Sequence, residues 1–108
     1  MSETQIDGVI LTPLNSTKEV VLEGHRQHQC VGRYAHDCAK GHYRVYAVLE
    51  PDGTRSTLGL WLGRYGERRK WRIEQHRGKH NERVSEAAVK AGKRLLDLYQ
   101  KAYRALTF

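Results

Sequence analysis

Residues 43–75, YRVYAVLEPDGTRSTLGLWLGRYGERRKWRIEQ, decide the fold. Tyr43 to Leu49 is rich in β-branched and aromatic strand formers. Pro51-Asp52-Gly53 is a turn signal, and Ser56 to Leu62 reads as the returning strand. Gly63 to Lys70 reads as a basic, glycine-punctuated turn. Lys70 to Gln75 then alternates polar and apolar residues, the period of a half-buried strand. These pieces predict an antiparallel meander of about three strands.

On either side, the pattern turns helical or irregular. Val9 to Leu14 reads as a short strand or extended lead-in, with Pro13 keeping it off the centre of a sheet. Ser16-Thr17-Lys18-Glu19 fits a capping box and predicts a short helix over about 17–23. Cys30 to Lys40 has helical spacing and ends at Gly41. Gln75 to Asn81 reads as a polar loop, and Asn81 or Ser85 caps a long final helix. The apolar stripe of that helix is Val84, Ala88, Ala91, Leu95, Leu98/Tyr99 and Ala102, interrupted by Gly92. The expected fold is α+β: a small antiparallel sheet of about three strands, with N-terminal short helices and a long C-terminal helix packed on it. No linker or repeat divides the chain, so residues 1–108 are expected to form one domain.

Length and charge narrow the function classes. The chain has 108 residues with 19 Lys and Arg against 12 Asp and Glu, a net charge of +7. Residues 1–23 hold four acids (Glu3, Asp7, Glu19, Glu23) and one base (Lys18), so the remainder carries +10. Such an excess favours polyanionic partners. No apolar run approaches the roughly 18 residues of a membrane span, and Met1 to Gly8 does not resemble a secretory signal. Two cysteines are too few for a disulfide framework. The expected compartment is the cytoplasm.

Three constellations carry chemical potential. His25 to Cys38 packs three histidines and two cysteines into fourteen residues. Its spacing, H-x2-H-x-C-x5-H-x-C, matches no common zinc pattern, so neither a metal nor another cofactor is expected. Cys30 falls in the first turn of the predicted helix, where amide groups and the helix dipole favour a thiolate, with His28 near enough to act as its base. The plainer reading makes Cys30, Tyr34 and Cys38 an ordinary core stripe. The second constellation is Gln75-His76-Arg77-Gly78-Lys79-His80-Asn81. Its cations next to a helix start suit an anion, and Gly78 permits close backbone approach or positive φ. The third, Arg64-Tyr65-Gly66-Glu67-Arg68-Arg69-Lys70-Trp71-Arg72, interleaves cations with aromatic rings. Strand alternation there puts Lys70 and Arg72 on one face and sends Trp71 and Ile73 to the core.

The order of these pieces resembles a known family. Glu23-Gly24, then His28-Gln29-Cys30-Val31-Gly32-Arg33-Tyr34, Gly41, two strands and Gln75-His76-Arg77-Gly78-Lys79-His80-Asn81 are similar to the pattern of the PcfJ-like proteins of conjugative plasmids and phages. The resemblance covers about residues 14–103 and suggests the isolated domain of a family whose members are often longer. It marks His28, Cys30, Gly32, Tyr34, Gln75, Arg77, Gly78 and Asn81, and implies that these segments converge on one pocket. One departure is Thr57-Leu58-Gly59, where the family often has Thr-hydrophobic-Glu. If that Glu is catalytic in relatives, the activity is absent here.

The function expected is that of a mobile-element accessory protein. It binds nucleic acid or another phosphate-bearing ligand through Arg64, Arg68, Arg69, Lys70 and Arg72, with Gln75, Arg77, Lys79, Asn81 and Tyr34 holding the anion. One alternative is a Cys/His enzyme acting on a nucleotide-like ligand, with Cys30 as nucleophile and His28 as base. Another is a phage protein that binds a host defence complex.

Overall fold

The structure is a computed structural model that describes residues 3–15, 18–19, 22–23, 43–65, 68–79 and 82–107. Strands β1 (Thr4–Ile6), β2 (Val9–Pro13), β3 (Tyr43–Leu49), β4 (Arg55–Tyr65) and β5 (Arg68–Gly78) form one sheet in the order β1-β2-β3-β4-β5. Every neighbouring pair is antiparallel. Helix α1 (Glu86–Thr107) follows.

Two expectations are corrected. The sheet has five strands rather than about three. Lys18, Glu19, Leu22 and Glu23 are helical, but no N-terminal short helix stands among the elements of the described residues, of which α1 is the one helical element. The expected helix over residues 30–40 lies outside the described residues. The two added strands have local causes. Asp7-Gly8 adopts positive φ at both positions, 51° and 81°. This is the two-residue hairpin turn whose twist suits antiparallel strands, and it folds Thr4–Ile6 back onto Val9–Leu11. Pro13 pairs with Tyr46 beyond the reach of β1, whose last partner is Leu11, so its missing N–H removes no ladder bond on that side.

The basic turn expected at Gly63 to Lys70 is also shorter than expected. Both strands run on to Tyr65 and Arg68, making an 11-residue by 11-residue hairpin. Likewise, Gln75 to Gly78 is not loop but the end of β5. Gly78 pairs with Ser56 and is not among the residues with positive φ, so the positive φ that the glycine permits there is not adopted.

The register of β4 and β5 contains one irregularity. Leu60 pairs with Ile73, whereas Gly59 pairs with Gln75, so Glu74 is an extra residue on β5. The bulge resets the alternation. Trp71 and Ile73 face one side of the sheet, opposite Leu62 and Leu60, and after the bulge His76 faces that same side opposite Leu58. This is the side covered by α1. The core there joins Ile6, Val9, Leu11, Tyr46, Val48, Leu58, Leu60 and Trp71 to Ala88, Ala91, Leu95 and Tyr99. The predicted helical stripe holds at those four positions, whereas Leu98 and Ala102 are exposed. Tyr99 is the central fastener. Its ring packs edge-on against Trp71 at 5.0 Å and Tyr46 at 6.0 Å, and the two tyrosine hydroxyls lie 2.6 Å apart. Ser85 caps α1 by accepting from the Ala88 amide, and its hydroxyl donates to the buried Glu50.

Gly92 now has a physical reason. A Cβ at this position would lie 3.3 Å from His76 Nδ1 and 3.5 Å from Leu58. The helix gives up propensity so that the imidazole can seat against its backbone. On its other nitrogen, His76 shares a 2.9 Å hydrogen bond with Ser56. Burial lowers its pKa from 6.5 to about 4. Between those values the unfolded chain binds the extra proton and the folded chain does not, so stability falls as pH drops from about 6.5 towards 4. The full loss from this group is of order 3 kcal/mol. Urea denaturation of the native chain and of His76→Gln is therefore expected to diverge over that range, the native chain losing more. Parallel pH profiles would contradict the assignment.

Candidate functional site

The side of the sheet away from α1 is also largely buried near its middle. Tyr43, Val45, Ala47 and Thr57 there are almost inaccessible, yet none belongs to the core beneath α1. Glu23 reaches this side and is 1% exposed. Its carboxylate accepts from Arg55 Nη2 at 2.6 Å, from Arg55 Nε at 3.2 Å, and from the Thr57 hydroxyl at 2.7 Å. A buried carboxylate is tolerable only with such partners, because leaving water costs it several kcal/mol. The ion pair pins residue 23 to strand β4.

Strand pairing puts the second constellation beside this node. Thr57 is directly opposite Arg77, and Gly59 is opposite Gln75, so these four positions share the face that Glu23 covers. Gln75 is half-buried, and Arg77 and Lys79 are exposed. Lys79 follows β5 in a turn where the Gly78 amide donates to the Glu82 carbonyl at 2.8 Å. His28, Cys30, Tyr34 and Asn81 lie outside the described residues, so their part in a common pocket and the Cys/His alternative gain nothing from this geometry. The His25–Cys38 cluster lies there too.

The departure at Gly59 is explained by space. A Cβ on Gly59 would fall 2.0 Å from the hydroxyl oxygen of Tyr43 and 2.7 Å from its ring. Tyr43 occupies the volume that any side chain at position 59 requires. A glutamate at 59 and the tyrosine at 43 are mutually exclusive in this packing.

This geometry follows the sequence order noted above, and comparison with known proteins agrees. The PcfJ-like protein family matches residues 1–91. The chain belongs to the PcfJ-like family. The match runs from before β1 into the second turn of α1 and takes in the whole sheet. No curated protein and no solved structure matches the chain significantly. Within this PcfJ-like chain, three residues of the family pattern (Glu23, Gln75 and Arg77) together with Thr57 thus meet on one sheet face.

Further along the same face the chemistry changes. Lys70 pairs with Gly63 and Arg72 with Trp61. The Arg72 guanidinium sits over the Trp61 ring, 4.6 Å from its centroid. Trp61 is half-buried, and it was not singled out by the sequence reading. Its signal was available: Gly59 and Gly63 stand two residues to either side, so on β4 the ring has no side chain beside it on that face. Trp71, by contrast, is 7% exposed and packs under α1, as alternation predicted. Arg64 and Arg69 occupy directly paired positions, as do Tyr65 and Arg68. Among the described residues no group of three His, Cys, Asp or Glu side chains could hold a metal, and no helix is long and apolar enough to cross a membrane.

The Glu23 anchor gives a direct test. Arg55→Met leaves the carboxylate buried beside Thr57 alone and is expected to cost about 3 kcal/mol in urea denaturation. Adding Glu23→Gln removes the stranded charge and should recover part of that loss. A cost below about 0.5 kcal/mol would show the pair to be a surface contact.

Proposed function

We propose that this PcfJ-like chain binds single-stranded nucleic acid along the β4–β5 hairpin. The observation that supports it best is the Trp61–Arg72 stack with Lys70 beside it on one sheet face. Cations neutralise phosphates, and a guanidinium or indole plane offers a surface for a base. Bases reach such a platform only when they are unpaired, which favours a single strand over a duplex.

Charge supports the same reading. Residues 64–72 hold five bases and one acid. Arg64 and Arg69 occupy directly opposed positions in the strand register. Arg77 and Lys79 extend the positive character beyond the hairpin toward the far end of β5. Within this reading the chain serves a plasmid or phage as an accessory factor in the cytoplasm, with no catalytic group required.

Fluorescence anisotropy with a labelled oligonucleotide of about 12 nucleotides tests it. Affinity should fall with rising salt. Lys70→Gln with Arg72→Gln should make the slope of log K against log salt shallower by about 1.4, since each phosphate contact to a single strand contributes about 0.7. Trp61→Ala should weaken binding by roughly 1–3 kcal/mol. Binding that ignores all three substitutions would place the ligand elsewhere.

A further inference from the structure

A groove of about 450 Å³ opens on the other side of the molecule, between the end of β5 and the start of α1. Ile73, Val84 and Val89 supply its apolar lining, together with His76. Arg77, Arg83 and Lys93 also line it, and no acidic residue does. Arg83 and Lys93 are exposed and make no ion pair among the described residues. Three cations gathered around an apolar floor repel one another and concentrate positive potential over the opening.

We propose that this groove binds a phosphomonoester carrying an apolar body, such as a nucleotide with a terminal phosphate. The volume falls within the range of small-ligand sites, about 300–1,000 Å³. The two positive charges of Arg83 and Lys93 exceed what one carboxylate neutralises, whereas a dianionic phosphate matches them. Two of the three lining cations are arginines, whose planar forks fit phosphate oxygens in pairs. The apolar floor accommodates the attached base or another hydrophobic group. His76 stays neutral above about pH 5 because of its burial, so it adds no fixed charge to the floor. The groove lies at the open edge of the sheet beneath α1, whereas Trp61, Lys70 and Arg72 lie on the opposite side; Arg77, whose strand position is on that opposite face, also lines the groove and is the one cation the two readings share.

The ligand has two natural sources, a free mononucleotide or the 5′ end of a strand. Isotope-labelled chain is titrated with AMP, with a 5′-phosphorylated oligonucleotide, and with the same oligonucleotide bearing a 5′-hydroxyl. The comparison variant is Arg83→Glu with Lys93→Glu, both exposed positions; Arg83→Gln with Lys93→Gln serves as the milder version. AMP that shifts the amide signals of Ile73, His76, Val84 and Val89, with affinity falling at least about tenfold in the variant, supports the site and a free nucleotide. Weak AMP binding supports the site and a strand end if the 5′-phosphorylated oligonucleotide binds about tenfold tighter than the hydroxyl form, provided the variant loses that preference. No shift at the groove with either phosphate, or shifts unchanged by both variants, overturns the proposal. Binding of the 5′-hydroxyl oligonucleotide reads the hairpin separately, so the two proposals fail independently.

Discussion

One extra residue in β5 fixes which side chains reach which side of the sheet. Without the bulge at Glu74, a continuous alternation from Trp71 and Ile73 would place Gln75 and Arg77 beneath α1 and His76 on the opposite face. Burying an arginine against Leu58 and the helix is untenable, and a buried Gln75 would need partners the apolar core lacks. With the bulge, His76 meets Ser56 and the bare backbone of Gly92, and the polar pair Gln75 and Arg77 joins Thr57 and Gly59. The seat of His76 beneath α1 and the placement of Gln75 and Arg77 beside the Glu23 node presuppose that reset.

The two faces then have distinct chemistry. Beneath α1, contacts are apolar or aromatic and converge on Tyr99. On the opposite face a polar anchor, Glu23 with Arg55 and Thr57, fixes residue 23 against β4 near the middle of the sheet, while the hairpin end carries exposed cations and one accessible indole. A polar anchor at the centre with charge at the exposed end suits the proposed binding of a flexible polyanion, because an ordered platform loses little entropy on binding.

Much of this was legible from residue order. Tyr43–Leu49, the Pro51-Asp52-Gly53 turn and the stripe Ala88, Ala91, Leu95 and Tyr99 behave as their patterns predict. The burial of Trp71 does so as well. β1 was missed although Asp7-Gly8 between apolar residues is a strong hairpin signal, because a three-residue strand carries little periodicity of its own. The length of the hairpin was missed because glycines and charges at 63–70 imitate a turn, and a bulge breaks the period-two pattern at Glu74. The ion pair of Glu23 with Arg55 spans 32 residues, and no local rule connects those positions. The family pattern placed Glu23, Gln75 and Arg77 in order along the chain; strand register was needed to see them on one face.

The two tryptophans offer the most direct test of the two-faced account, since Trp61 lies on the hairpin platform and Trp71 beneath the helix. Their indole N–H signals can be followed separately during titration of the native chain with a single-stranded oligonucleotide. The account predicts that the Trp61 signal moves to saturation while the Trp71 signal stays in place. Movement of Trp71 alone, or of neither, would contradict it.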